Sequence, residues 1–259
     1  MKHRNPVYGN LKSMTRILGG FPLARYLDEY PGLVLYHGSV DDAYENYALY
    51  DPGHICAGKF SEEFEISAKF GLDFFARTGR PHIWPLFHGT PSEAGSVLEK
   101  LGVERCEDFY AMSADTERTE QSQNFGDFNI LGPLRGETEA RAWAASAWRG
   151  FDSDEDAPEP FIAFARNLAE RREFSLFHIK GRATGMLFAG GGICGIYYVS
   201  TLPEFRGRGL GGAIVDRLKA RAAELGFGKA VLLATPSGRP LYRKHGFAEL
   251  ETVMIYRSE

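Results

Sequence analysis

Cysteine is scarce: Cys56, Cys106 and Cys194 are the only three in 259 residues, and no two form a CxxC pair. No histidine stands beside them at metal-ligand spacing. Neither a disulfide framework nor a zinc site is expected, and buried thiols in a reducing compartment are. Long apolar runs are missing too. Nothing approaches the ~18 apolar residues of a membrane span, and residues 1–10 are polar, without an apolar run of signal length. A cytoplasmic protein with no membrane partner is expected. The third absence is an excess of positive charge. Lys and Arg number 30 against 34 Asp and Glu, which speaks against nucleic acid or an anionic surface as the partner.

What is present is the composition of a globular chain, 44% hydrophobic and 25% charged. Its length allows one large domain or two of ordinary size. The C-terminal part reads as alternating elements. Residues 137–149 and 157–172 have helical spacing, and 174–179 and 183–189 are apolar runs around Lys180-Gly181-Arg182, a hairpin signature. Residues 193–199 form a third strand. Leu210, Ile214, Leu218 and Ala222 then recur every four residues, which predicts a helix over 209–225. A strand over 229–234, a short helix over 238–245 stopped by Gly246, and a strand over 249–256 complete the series. This alternation predicts an α/β domain with a mixed sheet. The N-terminal part predicts strands at 33–36, 83–87 and 109–112 and helices at 11–26, 61–78 and 91–101. The polar stretch 113–124 is the best linker, so the expected domains are 1–120 and 125–259.

Two segments repeat. Thr90-Pro91-Ser92 and Thr235-Pro236-Ser237 each follow a strand and precede a helix, a glycine and a final strand. With one residue inserted in the first copy, Leu98 falls on Tyr242, Lys100 on Lys244 and Gly102 on Gly246. Chance likeness between two αβ units is the competing explanation. If the repeat is real, the helix over 61–78 takes the place of 209–225. It is preceded by Ala57-Gly58-Lys59-Phe60 and has no glycine loop, so the first copy has lost the chemistry.

The segment with most chemical content is Tyr197–Ile214, YYVSTLPEFRGRGLGGAI. A β-rich run enters a proline turn, then Arg206-Gly207-Arg208-Gly209-Leu210-Gly211-Gly212, then an amphipathic helix. The first turn of a helix has unpaired N–H groups and a positive dipole end, and glycines let an anion come close. Arg206 and Arg208 would add charge beside a diphosphate. A dinucleotide loop would follow a first strand, and a Walker loop would need Gly-Lys-Ser/Thr, which is absent. A plain glycine turn opening a helix is the remaining alternative.

This segment resembles the GNAT superfamily of N-acetyltransferases. Arg206, Gly209 and Gly211 match the family's R/Q-x-x-G-x-G/A pattern, and Leu241-Tyr242-Arg243-Lys244-His245-Gly246-Phe247 matches its tyrosine helix followed by Gly-Phe. The whole chain looks like a tandem form with a degenerate N-terminal GNAT-like domain. The resemblance implies a mixed, mostly antiparallel sheet flanked by helices, preceded by a second, divergent α/β domain. It implies acetyl-CoA as co-substrate, no metal, and a small-molecule or peptide amine as acceptor, and it is compatible with a homodimer. The N–H groups of Arg208, Gly209, Leu210, Gly211 and Gly212, beside Arg206 and Gly207, would hold the diphosphate. A strand splayed near a bulge would offer Tyr198, Val199 and Thr201 to the pantetheine arm, with the acetyl group near Tyr197 or Tyr198. Ser237 stands where the family often has an asparagine.

Tyr242 resembles the family's general acid, since a phenol is protonated at neutral pH and can supply a departing thiolate. Its other reading is a packed tyrosine on a short helix. No general base is visible: the strand position that often carries a glutamate is apolar here, near Ile193 or Cys194. Cys194 as a nucleophile would need a lowered pKa, and a buried strand cysteine is the expectation, with His178 and His245 as structural or surface residues. Two functions remain open: an N-acetyltransferase acting by direct attack on a primary amine, and a non-catalytic acyl-CoA-binding or sensing protein.

Overall fold

Asn5 starts the first helix. Its side chain accepts a hydrogen bond from the Val7 N–H at 2.7 Å, and Pro6 takes the first helical position, where a missing N–H costs nothing. This helix, α1 (Pro6–Leu18), stops before Gly19-Gly20, and the chain turns into strand β1 (Arg25–Tyr30). The predicted helix over 11–26 therefore starts too late and runs too far. Two glycines and Pro22 oppose its continuation, and Gly19 closes on Tyr26, where a Cβ would lie 2.2 Å from the Tyr26 Cβ.

The computed structural model describes residues 5–38, 40–51, 60–116 and 128–258. After β1 come β2 (Leu33–His37), β3 (Asn46–Tyr50), α2 (Phe60–Thr78), β4 (His82–Leu86), α3 (Glu93–Lys100) and β5 (Glu104–Asp115). Then follow α4 (Glu137–Gly150), α5 (Glu159–Glu170), β6 (Phe174–Ile179), β7 (Ala183–Gly190) and β8 (Ile193–Thr201). The chain ends with α6 (Leu210–Glu224), β9 (Lys229–Ala234), α7 (Arg239–Lys244) and β10 (Ala248–Ser258). Strands β1 and β3 were not anticipated from the sequence. Of the expected linker, Ser113–Asp115 extend β5, and 117–124 lie outside the described residues, as do Cys56 and residues 57–59. No described helix is long and apolar enough to cross a membrane.

These elements form two compact units, Met1–Tyr110 with Glu251–Glu259, and Ala111–Leu250. The final strand, counted with the C-terminal domain from the sequence, groups mainly with the N-terminal unit. That unit has strand order β1-β2-β3-β4-β10. Its pairs are antiparallel, antiparallel, parallel at Tyr47↔Ile83, and antiparallel from Met254↔Leu86 to Ser258↔His82. Helices α2 and α3 cover a core that includes Leu35, Tyr50, Phe64, Trp84, Leu98 and Tyr256. Gly95 lets α3 close on Tyr256, whose hydroxyl stands 2.1 Å from where a Cβ would be.

The C-terminal unit has the order β6-β7-β8-β9-β5, entering β5 at Ala111. Its first three pairs repeat the pattern antiparallel, antiparallel, parallel. The two units thus share the strand order and the directions of their first three pairs, and each takes its last strand from the other half of the chain. The repeat register also holds at the backbone. The Val103 N–H donates to the Leu98 carbonyl at 2.9 Å, and the Phe247 N–H donates to the Tyr242 carbonyl at 3.0 Å. Gly102 and Gly246 both have φ +84°, a turn that only glycine makes cheaply.

Candidate active site

Strand β8 is bent where the site lies. Met186 faces Tyr197 and Thr184 faces Ser200, so Gly185 opposes both Tyr198 and Val199 in a β-bulge. Tyr198 has φ +52°, an uncommon conformation for a bulky residue. An aromatic cluster holds it there: its ring lies 5.5 Å from Trp143, 5.9 Å from Phe164, 6.1 Å from Phe161 and 6.2 Å from Phe151. The Thr184 hydroxyl donates to the Tyr198 carbonyl at 3.1 Å. The Tyr198 ring thus packs within this cluster. Parallel pairing of β8 with β9 is confined to Cys194↔Ala230 and Gly195↔Val231, so the two strands part just before the bulge. On the other face, Gly185 admits α6, whose Ile214 Cγ2 would be 2.4 Å from a Cβ there.

The loop after β8 runs through a 3-10 turn, Pro203–Phe205, to Gly209, which caps α6 with φ +83° and ψ −2°. The first helical bond is from the Ala213 N–H to the Gly209 carbonyl at 3.0 Å. The N–H groups of Leu210, Gly211 and Gly212 precede it and point out of the helix end. Space beyond Gly207 and Gly209 is open to 4 Å around a would-be Cβ. An open, positive helix end beside a parted strand pair fits a diphosphate joined to an extended arm.

The four glycines have different reasons. Gly207 and Gly209 carry positive φ. A Cβ on Gly211 would make ordinary contacts, 3.4 Å from Leu241 Cδ2 and from Thr201 Oγ1. On Gly212 it would lie 2.4 Å from His245 Nε2. His245 Nδ1 in turn lies 2.8 Å from an Asp216 carboxylate oxygen, and the Lys219 ammonium donates to the His245 carbonyl at 2.9 Å. His245 thus ties α7 to α6. This role was invisible in the sequence, because nothing local marks Asp216 as its partner.

Arg206 departs from its expected role. Its guanidinium donates to the Thr201 carbonyl at 3.0 Å, the Gly150 carbonyl at 3.1 Å and the Asp152 carboxylate at 2.6 Å. Rather than supplying free charge to an anion, it binds the end of α4 to the loop. Arg208 is exposed and donates to the Glu204 carbonyl at 3.0 Å. Asp152 lies 54 residues before Arg206, in the turn that follows α4.

Tyr242, on α7, is half-buried, with its ring 5.9 Å from Phe247. Among the described residues its hydroxyl has no hydrogen-bond partner, and burial pushes the phenol above its ordinary range. Burial likewise pushes the Cys194 thiol up to about 12, opposed only weakly by Arg221. A nucleophilic thiolate is not available there. The Ser237 hydroxyl is exposed, 3.1 Å from that of Thr235. The Thr235 hydroxyl accepts from the Gly238 N–H at 3.1 Å, fixing the start of α7. Val199 and Thr201 are half-buried on the bulged strand. His178 is buried on β6, with its basicity lowered by desolvation.

Residues 170–249 match the family model of the acetyltransferase (GNAT) domain. No curated protein matches the chain in sequence. Among solved structures, a GCN5-related N-acetyltransferase from Kribbella flavida is similar in fold, with TM-score 0.67 at 16% identity over 99% of this chain and 96% of that one. One from Sphaerobacter thermophilus gives TM-score 0.62 at 14% identity, over 90% and 82% of the two chains. A tandem GNAT protein from the clavulanic acid biosynthesis pathway gives 0.57 at 13% identity, over 99% and 89%. The bulged β8, the glycine-opened α6 and the tyrosine helix α7 all lie in the matched segment, residues 170–249, and the fold of the chain is that of these GNAT acetyltransferase structures.

Proposed function

We propose that the C-terminal unit is an acetyl-CoA-dependent N-acyltransferase that moves an acetyl group to a primary amine by direct attack. One observation carries this reading. A single unit brings together an open glycine-rich helix end, a parallel strand pair that parts before a bulge, and a half-buried tyrosine on the next helix. Acetyl-CoA, when bound, supplies the activated acetyl thioester. The N–H groups from Arg208 to Gly212 would hold its diphosphate, and the backbone of Tyr198 and Val199 with the hydroxyls of Thr201 and Ser237 would orient its arm.

Tyr242 would hold a proton at Oη for the departing thiolate. Burial raises its pKa, so the phenol keeps its proton throughout the working range and cannot serve as a base. At the strand position where a general base was sought, Ile193 is apolar and burial raises the Cys194 thiol, so neither serves as one. In this reading the acceptor amine gives up its proton to water, and the protein contributes mainly by positioning. The N-terminal unit, with Leu98 in place of Tyr242, is read as a divergent copy without turnover.

The experiment is an acetyl-transfer screen with acetyl-CoA against amino acids, polyamines, aminoglycosides and peptide N-termini, reading release of the free thiol. Turnover with at least one amine is expected. Saturable CoA binding without turnover on any class would favour a non-catalytic acyl-CoA sensor, the reading that the missing base supports.

A further inference from the structure

Four arginines surround the loop that opens α6, and they fall into two pairs. Arg149 lies 3.2 Å from a Glu204 carboxylate oxygen and Arg206 lies 2.6 Å from Asp152, so both are neutralised. Arg182 and Arg208 are exposed and, among the described residues, have no carboxylate partner. Both stand instead against one ring: the Arg182 guanidinium is 5.3 Å and the Arg208 guanidinium 5.5 Å from the Phe205 centroid. Contact with an aromatic ring restrains a guanidinium without cancelling its charge.

The backbone fixes these cations beside the helix end. Arg182 closes the β6–β7 hairpin, its N–H donating to the Ile179 carbonyl at 2.9 Å, and its carbonyl accepts the Leu202 N–H at 2.9 Å. The Phe205 N–H donates to Leu202 at 2.9 Å, which completes the turn carrying the ring. Arg208 reaches back to the Glu204 carbonyl. Hairpin, turn and loop thus present two unneutralised charges beside Gly209.

We propose that Arg182 and Arg208, braced on Phe205, grip a phosphate monoester, so that the chain selects CoA through its 3′-phosphate over the dephospho form. The proposal rests on the acyl-CoA reading above. The charge match supports it. A diphosphate is met by the N–H groups of α6, but a monoester on the same ligand carries roughly −1.5 to −2 near neutral pH and needs its own cations. Two guanidiniums supply that charge, whereas Arg206 cannot, being held by Asp152.

The test is calorimetric titration of the full chain with CoA and with dephospho-CoA. The parent protein should prefer CoA by roughly tenfold or more, as expected for charge-assisted hydrogen bonds to a phosphate. Arg182→Gln and Arg208→Gln should each reduce that ratio, and the double variant should bring it near one by weakening CoA much more than dephospho-CoA. Equal affinity of the parent for both ligands would overturn the proposal. So would an unchanged ratio in the double variant, including a proportional loss of both ligands, which would make the arginines props of the loop. If the parent binds neither ligand, the acyl-CoA reading falls with it.

Discussion

Leu98 and Tyr242 stand four residues before a glycine turn of the same shape, in units of the same strand order, yet their surroundings differ. Leu98 is fully buried on α3 and belongs to the core. Tyr242 is half-buried, and among the described residues its hydroxyl has no partner. The difference separates what folds the motif from what gives it chemistry. A strand, a short helix and a glycine at positive φ rebuild the backbone in either unit. Only the C-terminal copy places a polar side chain there, next to a helix whose glycines leave its first N–H groups accessible.

The largest break in that comparison should come from the exchanged strands. Val253 and Ile255 are fully buried in the N-terminal unit although they come from the chain's end. Each such side chain contributes about 1.5–3 kcal/mol, against total stabilities of ~5–15 kcal/mol. Removing 251–259 should therefore unfold the N-terminal unit, seen as loss of hydrogen-exchange protection across β2–β4. Retained protection there would show that the exchanged strand is dispensable. The same exchange means that halves cut near residue 120 are poor reagents, because each lacks a strand of its own unit.

That exchange was not legible in the sequence, because strand pairing is non-local and β10 reads equally well beside either half. Local signals fared better. The strand Lys229–Ala234 and the helix after Gly209 follow from apolar spacing alone. The short strand Asn46–Tyr50 was missed because five residues with a polar start carry little periodicity. At the site, the glycine loop and tyrosine helix were readable as motifs. The partners of their side chains were not: Asp152 for Arg206 and Asp216 for His245 are chosen by tertiary packing.

A smaller effect separates neighbouring glycines. Gly212→Ala would drive a methyl group into the His245 ring, and overpacking of this kind costs about 1–3 kcal/mol. Gly211→Ala meets only ordinary contacts and should leave stability and CoA affinity within about twofold of the parent. Thermal melts paired with CoA titration would check both. Equal loss in the two variants would mean that the cradle, rather than the His245 contact, accounts for Gly212.

The smallest structural change tests the account most directly. Tyr242→Phe removes one hydroxyl that has no partner among the described residues, so folding and CoA affinity should hardly change. With any accepted amine, kcat should fall by ~10²–10⁴, the range for losing a general acid. Because burial raises the phenol pKa, the parent's rate should climb with pH as the amine deprotonates, with no descending limb below about pH 10, the ordinary phenol value. A Tyr242→Phe protein that turns over as fast as its parent, at unchanged CoA affinity, would contradict the claim that this tyrosine distinguishes the two units chemically.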